Sequence, residues 1–421
     1  MRTLIDASLV RLVPVAGAPG EVRYALYAVI AEVARARLGG RDAAAVVQHA
    51  EHYAGRYAWR DATALRCNER LAALASADVP ELQQALAFVI RTGDGDVAAR
   101  LLVGLWVLAQ IHDRQHLLLS EAERVSQLPM QPAQRALALT MLVAYRVSNP
   151  KPDAIATIDR AIEACRQHPE LHEPLAFLLA HRGRESAHVG QPQDARRDAT
   201  AAVALDRAHG VPPLRTLHLL GSTLHVLGDA EGALARFGEA TRLASELGDQ
   251  RSYATSLTSA IASLRAAGRF EEALSESERC SALCDALGMG ASALTARLFR
   301  GVTLMRMGRY QEAVVVLTRC RDDAPLHHPR LHLAVLAALA ESLCAVGGAE
   351  AASPLVEEAL ARAHNSDGRA QALSGLAEVA LLRGRLSEAE RHIAEALAIP
   401  HPSAYTALRV RAVADRIAAA R

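Results

Sequence analysis

From about residue 170 to the C-terminus, apolar and small residues recur in one arrangement: a run with helical spacing, a glycine, four residues, an alanine, and a second helical run. The glycines are Gly190, Gly228, Gly268, Gly308, Gly347 and Gly384, spaced by 38, 40, 40, 39 and 37 residues. A period of that size marks helix pairs stacked in series. Five residues after each glycine stands Ala195, Ala233, Ala273, Ala313, Ala352 or Ala389, and twelve after it Ala202, Ala240, Cys280, Cys320, Ala359 or Ala396. Seven before it stand Gly183, Gly221, Ile261, Gly301, Ala340 and Ala377, with Leu224, Leu264, Leu304 and Leu343 four before. Antiparallel helices approach to about 8–10 Å only where facing side chains are small, so the small positions predict the contact points. The glycine predicts a helix C-cap at positive φ, and the leucines fill the space between pairs. Each pair leaves an apolar face open until the next covers it.

Weaker copies extend upstream, with Ala154 and Ala161 in register, a turn at Asn149, and another unit around 112–123. The first residues follow a different rule. Residues 8–14 and 22–27 alternate as strands around a Gly/Pro turn at 16–20, predicting a β-hairpin with a loop of five or six residues, then a helix to Leu38. The longest apolar runs, Leu101–Ile111 and Leu331–Ala340, are about half the roughly 20 residues of a membrane helix and predict core helices. Asp6 and Arg11 interrupt the only apolar stretch before Gly20, so no signal peptide is expected.

The segments Gly268-Arg-Phe-Glu-Glu-Ala273, Gly308-Arg-Tyr-Gln-Glu-Ala313 and Gly384-Arg-Leu-Ser-Glu-Ala389 resemble the turn signature of the tetratricopeptide repeat. The period exceeds that family's usual 34 residues, which suggests longer helices. Further upstream, the run from Leu4 to Val10, Arg23 to Tyr27, and His49-Ala-Glu-His-Tyr53 resembles the segment joining the nucleotide-binding module to the helical repeats in STAND regulators, the LuxR-type and SARP-type signal-transduction ATPases. Glu81–Ile90 and Leu101–Leu108, with Trp106, resemble that family's first repeat-like helices. The resemblance implies an all-α, right-handed superhelical tetratricopeptide-like solenoid with a small N-terminal hairpin and helix, the remnant of a winged helix. It implies the division 1–60 (winged-helix remnant), 61–148 (helical linker and degenerate repeats) and 149–421 (repeat array). The chain would then be the sensor arm of such a regulator, without its nucleotide-binding domain.

Composition narrows the function. The 421 residues are 51% apolar, 4% aromatic and 22% charged, enough for a core of small aliphatic side chains. A formal charge of +1 provides no general attraction to nucleic acid or anionic membrane. Lys151 is the only lysine and lies in Ser-Asn-Pro-Lys-Pro-Asp (148–153), outside any phosphate-binding P-loop. The six cysteines, Cys67, Cys165, Cys280, Cys284, Cys320 and Cys344, form no C-x-x-C pair, which fits a reducing cytoplasm.

Cys280 and Cys284, four apart, share a helix face, but Cys280 and Cys320 stand where other repeats place alanine, so packing accounts for them. His112/His116 and His168/His172 have the i, i+4 spacing of a helical chelate, and His327, His328 and His332 cluster, yet none has an H-E-x-x-H arrangement. No nucleophile elbow is present, and the paired acids Glu271-Glu272 and Glu357-Glu358 suit solvated helix faces. No catalytic residue, metal or cofactor is therefore assigned. The tetratricopeptide resemblance implies that first-helix positions 13, 10, 6, 3 and 2 before the glycine line a concave groove. They select Arg184 and His188; Arg215, His218, Ser222 and His225; Thr258 and Arg265; Met305 and Arg306; Glu341 and Cys344; and Glu378. Its basic middle suits an acidic peptide or a phosphorylated or carboxylate ligand, and its C-terminal end is acidic. The expectation is a non-enzymatic cytoplasmic module binding a protein, a peptide or a small signal molecule, with self-association open and no direct nucleic-acid or membrane binding. The alternative is a metal-binding or hydrolytic enzyme using the histidine clusters.

Overall fold

The computed structural model describes residues 10–26, 42–59, 65, 67–112, 118–146, 153–323, 329–363, 366–399 and 404–420. The expected helix to Leu38, Lys151, Asn149, His116, His327 and His328 lie outside them. The chain forms two compact units, Met1–Ser256 and Leu257–Arg421.

The first unit opens with strands β1 (Val10–Pro14) and β2 (Val22–Leu26), paired antiparallel from Val10↔Leu26 to Pro14↔Val22. Residues 15–21 join the strands, and the Val15 amide bonds to the Glu21 carbonyl at 3.0 Å, which carries the ladder one step past Pro14 and leaves a five-residue turn, 16–20, as expected. Helices follow: α1 (Asp42–Ala54), α2 (Glu69–Ser76), α3 (Val79–Thr92), α4 (Gly95–His112), α5 (Leu119–Val125), α6 (Pro132–Arg146), α7 (Ala154–Arg166), α8 (His172–His188), α9 (Pro192–Ala208), α10 (Leu214–Val226) and α11 (Ala230–Leu247). Asp78, 1% exposed between α2 and α3, ties down the start of the chain. It pairs with Arg23 of β2, lies 2.6 Å from Arg56 Nε, and accepts the Tyr57 hydroxyl at 2.5 Å. Three partners from two segments compensate a carboxylate that would otherwise be costly to bury. The apolar run of α4 is a core helix as expected, with Leu101, Leu102, Val107 and Leu108 at 0% exposure.

The unit boundary falls within α12 (Gln250–Ala266). Beyond it run α13 (Phe270–Ala286), α14 (Gly290–Arg306), α15 (Tyr310–Asp323), α16 (Pro329–Ala345), α17 (Ala349–Arg362), α18 (Ser366–Leu382), α19 (Leu386–Leu397) and α20 (Ala404–Ala419). In the first unit α8 packs on α9 and α10; in the second, α14, α16, α18 and α20 pack each on the next, each of the first three also against its own second helix.

The small-residue register holds throughout. All six turn glycines have φ between 72° and 80°, a region costly for any side chain. Ala195, Ala233, Ala273, Ala313, Ala352 and Ala389 are all 0% exposed. A Cβ on Gly183 would meet the Ala195 carbonyl oxygen and the Ala199 amide at 2.9 Å, so α8 and α9 approach as closely as backbone allows. Among the described residues, no helix is long and apolar enough to cross a membrane.

Candidate functional site

In the second unit, the first-helix faces of α14, α16, α18 and α20 border an open cavity of about 970 Å³. Met305, Arg306, Glu341 and Glu378, four of the residues selected from the sequence, line it together, with Tyr310 at the start of α15. The other walls come from α20. Arg409 lies 2.8 Å from Glu341 and 3.6 Å from Glu378, and Arg416 lies 2.6 Å from Glu378. Glu378 and the Arg409 side chain are each only 7% exposed, so this is a ladder of alternating charge held in low dielectric rather than a solvated surface pair. Leu408, 68% exposed, adds an apolar lip.

The sequence reading missed Arg409 and Arg416 because no turn glycine follows α20. A signal existed: continuing the 38-residue spacing of Gly190 and Gly228 past Gly384 puts the next anchor at 422, and positions 13 and 6 before it are 409 and 416. Thr258 requires a correction. It is buried, its hydroxyl lies 3.0 Å from Cys280 Sγ, and it faces its own second helix instead of a groove. Cys344 is also buried, and burial pushes its thiol up to about 12. The Arg265 guanidinium sits 5.1 Å from the Phe299 ring centre.

In the first unit, Arg184, Arg215 and His218 converge, and neighbouring His181, which the sequence reading left out, joins them. Arg215 does not stand clear in a groove. Its guanidinium lies 4.4 Å above Trp106, 5.5 Å from Phe177 and 5.7 Å from Trp59, whose ring stacks on Trp106 at 4.3 Å. Phe177 and Arg215 hold the same register position, 13 before their glycines, on adjacent first helices. The contact was therefore implicit in the repeat once aromatic residues at that position were considered. Burial, reinforced by Arg184 and Arg215, pushes the His218 imidazole down to about 4 and His181 well below its usual range, so both rings are neutral at pH 7. Arg184 bonds to Glu185 at 2.9 Å, and Ser222 donates to the His218 carbonyl at 3.0 Å. His188 ends α8 and is exposed, and His225 lies in the last turn of α10 and is half-buried.

Of the histidine pairs with i, i+4 spacing, only His168/His172 has both side chains among the described residues, and it does not assemble as a chelate would. His168 Nδ1 lies 3.4 Å from Glu170, whereas His172 stacks on His209 at 4.2 Å. His332 bonds to Glu358 at 2.9 Å. Among the described residues no three His, Cys, Asp or Glu side chains are placed to hold a metal ion. Cys280 and Cys284 share a face, with Sγ atoms 3.9 Å apart, and both are 0% exposed. Burial pushes Cys165 and Cys320 up to about 11, the state of a packed thiol and not of a nucleophile.

No family model matches the chain, and no curated protein does. Solved structures do. A STAND (signal transduction ATPase with numerous domains) protein with a tetratricopeptide repeat sensor, from Pyrococcus horikoshii, aligns with a TM-score of 0.56 and 12% identity over 97% of this chain and 59% of its own. A Rap protein complexed with competence and sporulation factor aligns with a TM-score of 0.52 and 13% identity over 82% of this chain and 100% of its own. At these identities the likeness is one of fold, and it defines the class: an all-α, tetratricopeptide-like solenoid of helix pairs with a small N-terminal hairpin.

Proposed function

We propose that the chain is a non-enzymatic interaction or sensing module, associated with a transcriptional regulator of the STAND type, that binds a peptide, a protein segment or a small signal molecule on its first-helix faces. The observation that carries the reading is the cavity of the second unit, where Met305, Arg306, Glu341 and Glu378 meet the arginines of α20. A wall of mixed charge beside an apolar lip suits a polar chain with an apolar anchor, recognised by charge-assisted hydrogen bonds. The fold likeness to a STAND tetratricopeptide sensor supports the regulatory association, and the likeness to a Rap protein complexed with a factor supports ligand binding by such a solenoid. Within this reading, 1–60 is the winged-helix remnant, 61–148 the linker and 149–421 the sensing array.

Selection of a displayed random-peptide library on the full chain tests the proposal. Enriched peptides are expected to bind the wild type and to lose at least tenfold in affinity with Arg306→Ala or Glu341→Gln. Peptides that bind both variants as tightly as the wild type would refute the groove. Saturable ATP binding or hydrolysis by the pure chain would refute the non-enzymatic role.

A further inference from the structure

We infer that the first unit carries a second binding site, outside the first-helix face, for a phosphomonoester. Residues of α5, α6 and α7 border an open cavity of about 1400 Å³, and four arginines from these three helices line it: Arg124, Arg135, Arg146 and Arg160. Among the described residues two carboxylates, Glu123 and Asp153, share the lining, which leaves an excess of two positive charges on that lining. A phosphomonoester at pH 7 carries between about −1.5 and −2, so one such group neutralises the excess.

The arginines play different parts. Arg135 donates to the Ser126 and Leu128 carbonyls at 2.6 and 2.8 Å, which fixes its charge at the end of α5. Arg146, its side chain 16% exposed, is steered by Glu123 at 3.1 Å and Asp153 at 3.7 Å, and its buried Nε has no hydrogen-bond partner among the described residues. That nitrogen is sealed from solvent, so Arg146 contributes fixed positive charge to the wall rather than a donor that a ligand reaches. Arg124 and Arg160 are exposed at the mouth. Arg160 makes one long contact, 3.5 Å to Thr157 Oγ1, and Arg124 has no carboxylate partner among the described residues. Both forks are available to a ligand, and a planar fork grips a phosphate through two parallel bonds. Gln127 adds a neutral donor on the wall, whereas the Ser120 hydroxyl donates to Glu121 at 2.8 Å.

The test titrates the full chain with inorganic phosphate, O-phosphoserine and a phosphoserine peptide at constant ionic strength, reading heat of binding and thermal midpoint. Saturable binding and a raised midpoint are expected, with chloride at equal ionic strength giving neither. The double variant Arg124→Gln/Arg160→Gln, which changes exposed side chains and leaves the fold intact, is expected to weaken binding at least tenfold. Arg242→Gln, at an exposed site on α11, is expected to leave binding unchanged. A peptide bound more than tenfold tighter than free phosphoserine assigns the phosphate to a protein partner, and equal affinity assigns it to a small molecule; both support the site. Absence of saturation, or a double variant that binds like the wild type, overturns it. The groove reading does not enter this result, because none of its residues lines this cavity.

Discussion

Gly183 and Gly238 both sit inside helices of the first unit, and the same substitution is expected to act on them with opposite sign. Glycine in a helix interior costs about 1 kcal/mol relative to alanine, so alanine begins with that advantage at either place. At Gly238 on α11 an added Cβ meets nothing within 4 Å, so Gly238→Ala is expected to stabilise by about 0.5–1 kcal/mol. At Gly183 the Cβ would lie 2.9 Å from the Ala195 carbonyl oxygen, 2.9 Å from the Ala199 amide and 3.0 Å from the Ala199 Cβ. Those atoms are backbone or bound rigidly to it, and no rotamer change relieves the contact. Helices α8 and α9 must part by roughly half an ångström, which forfeits a quarter or more of each dispersion contact along the interface. Overpacking costs about 1–3 kcal/mol, and contact with rigid backbone atoms belongs in the upper part of that range, about 2–3 kcal/mol, so after the propensity gain of about 1 kcal/mol a net loss of about 1–2 kcal/mol remains for Gly183→Ala. Urea unfolding followed by tryptophan fluorescence reads the correct unit, since Trp59 and Trp106 are the chain's two tryptophans and stack within it. With a slope of about 3 kcal/mol per molar, the Gly183→Ala midpoint is expected to fall by about 0.3–0.7 M while that of Gly238→Ala rises. A Gly183→Ala variant at or above the wild-type midpoint would refute the argument that small residues set the helix spacing.

Three further outcomes are expected. Ala273→Arg or Ala313→Arg, each placing a long cation at a fully buried contact, should cost about 3 kcal/mol or more, whereas Arg265→Ala should cost far less; equal melting temperatures for the three would show the register to be wrong. Burial raises the Asp206 carboxyl to about 6, only partly offset by the Thr216 hydroxyl donating to it at 2.7 Å. A raised acid favours folding while protonated, so its contribution is complete below about pH 4 and is lost as pH rises through about 6. Asp206→Asn should therefore gain stability relative to wild type between about pH 4 and pH 7 in chemical unfolding, and a constant difference across that range would exclude the linkage. Glu378→Gln leaves Arg409 and Arg416 short of their shared carboxylate and should destabilise the second unit by about 2–4 kcal/mol. Hydrogen exchange in α18 and α20 reads this loss, and unchanged protection there would mean that the charge ladder contributes nothing.

The periodic features of the chain were legible in its residues, because each is a local steric demand. A turn at positive φ admits glycine, a helix contact admits alanine, and an alternating strand pair closes on a Gly/Pro loop; Gly308, Ala313 and the hairpin around Gly17 each declare their place without reference to distant residues. The same register placed Met305, Arg306, Glu341 and Glu378 on one wall. It failed at Thr258, where the backbone position was set but the side chain turned inward to a thiol. What only the tertiary structure decided is which distant residues touch. Trp59, Trp106, Phe177 and Arg215 are spread over 157 residues of sequence, and Arg124 and Arg160 over 37, and they meet because helices of particular length stack at particular offsets. Periodicity determines the face a residue occupies, since 3.6 residues complete a turn wherever the helix lies. The opposing partner depends on helix ends, tilts and rotamers summed over every intervening contact, and no single stretch of the chain carries that sum.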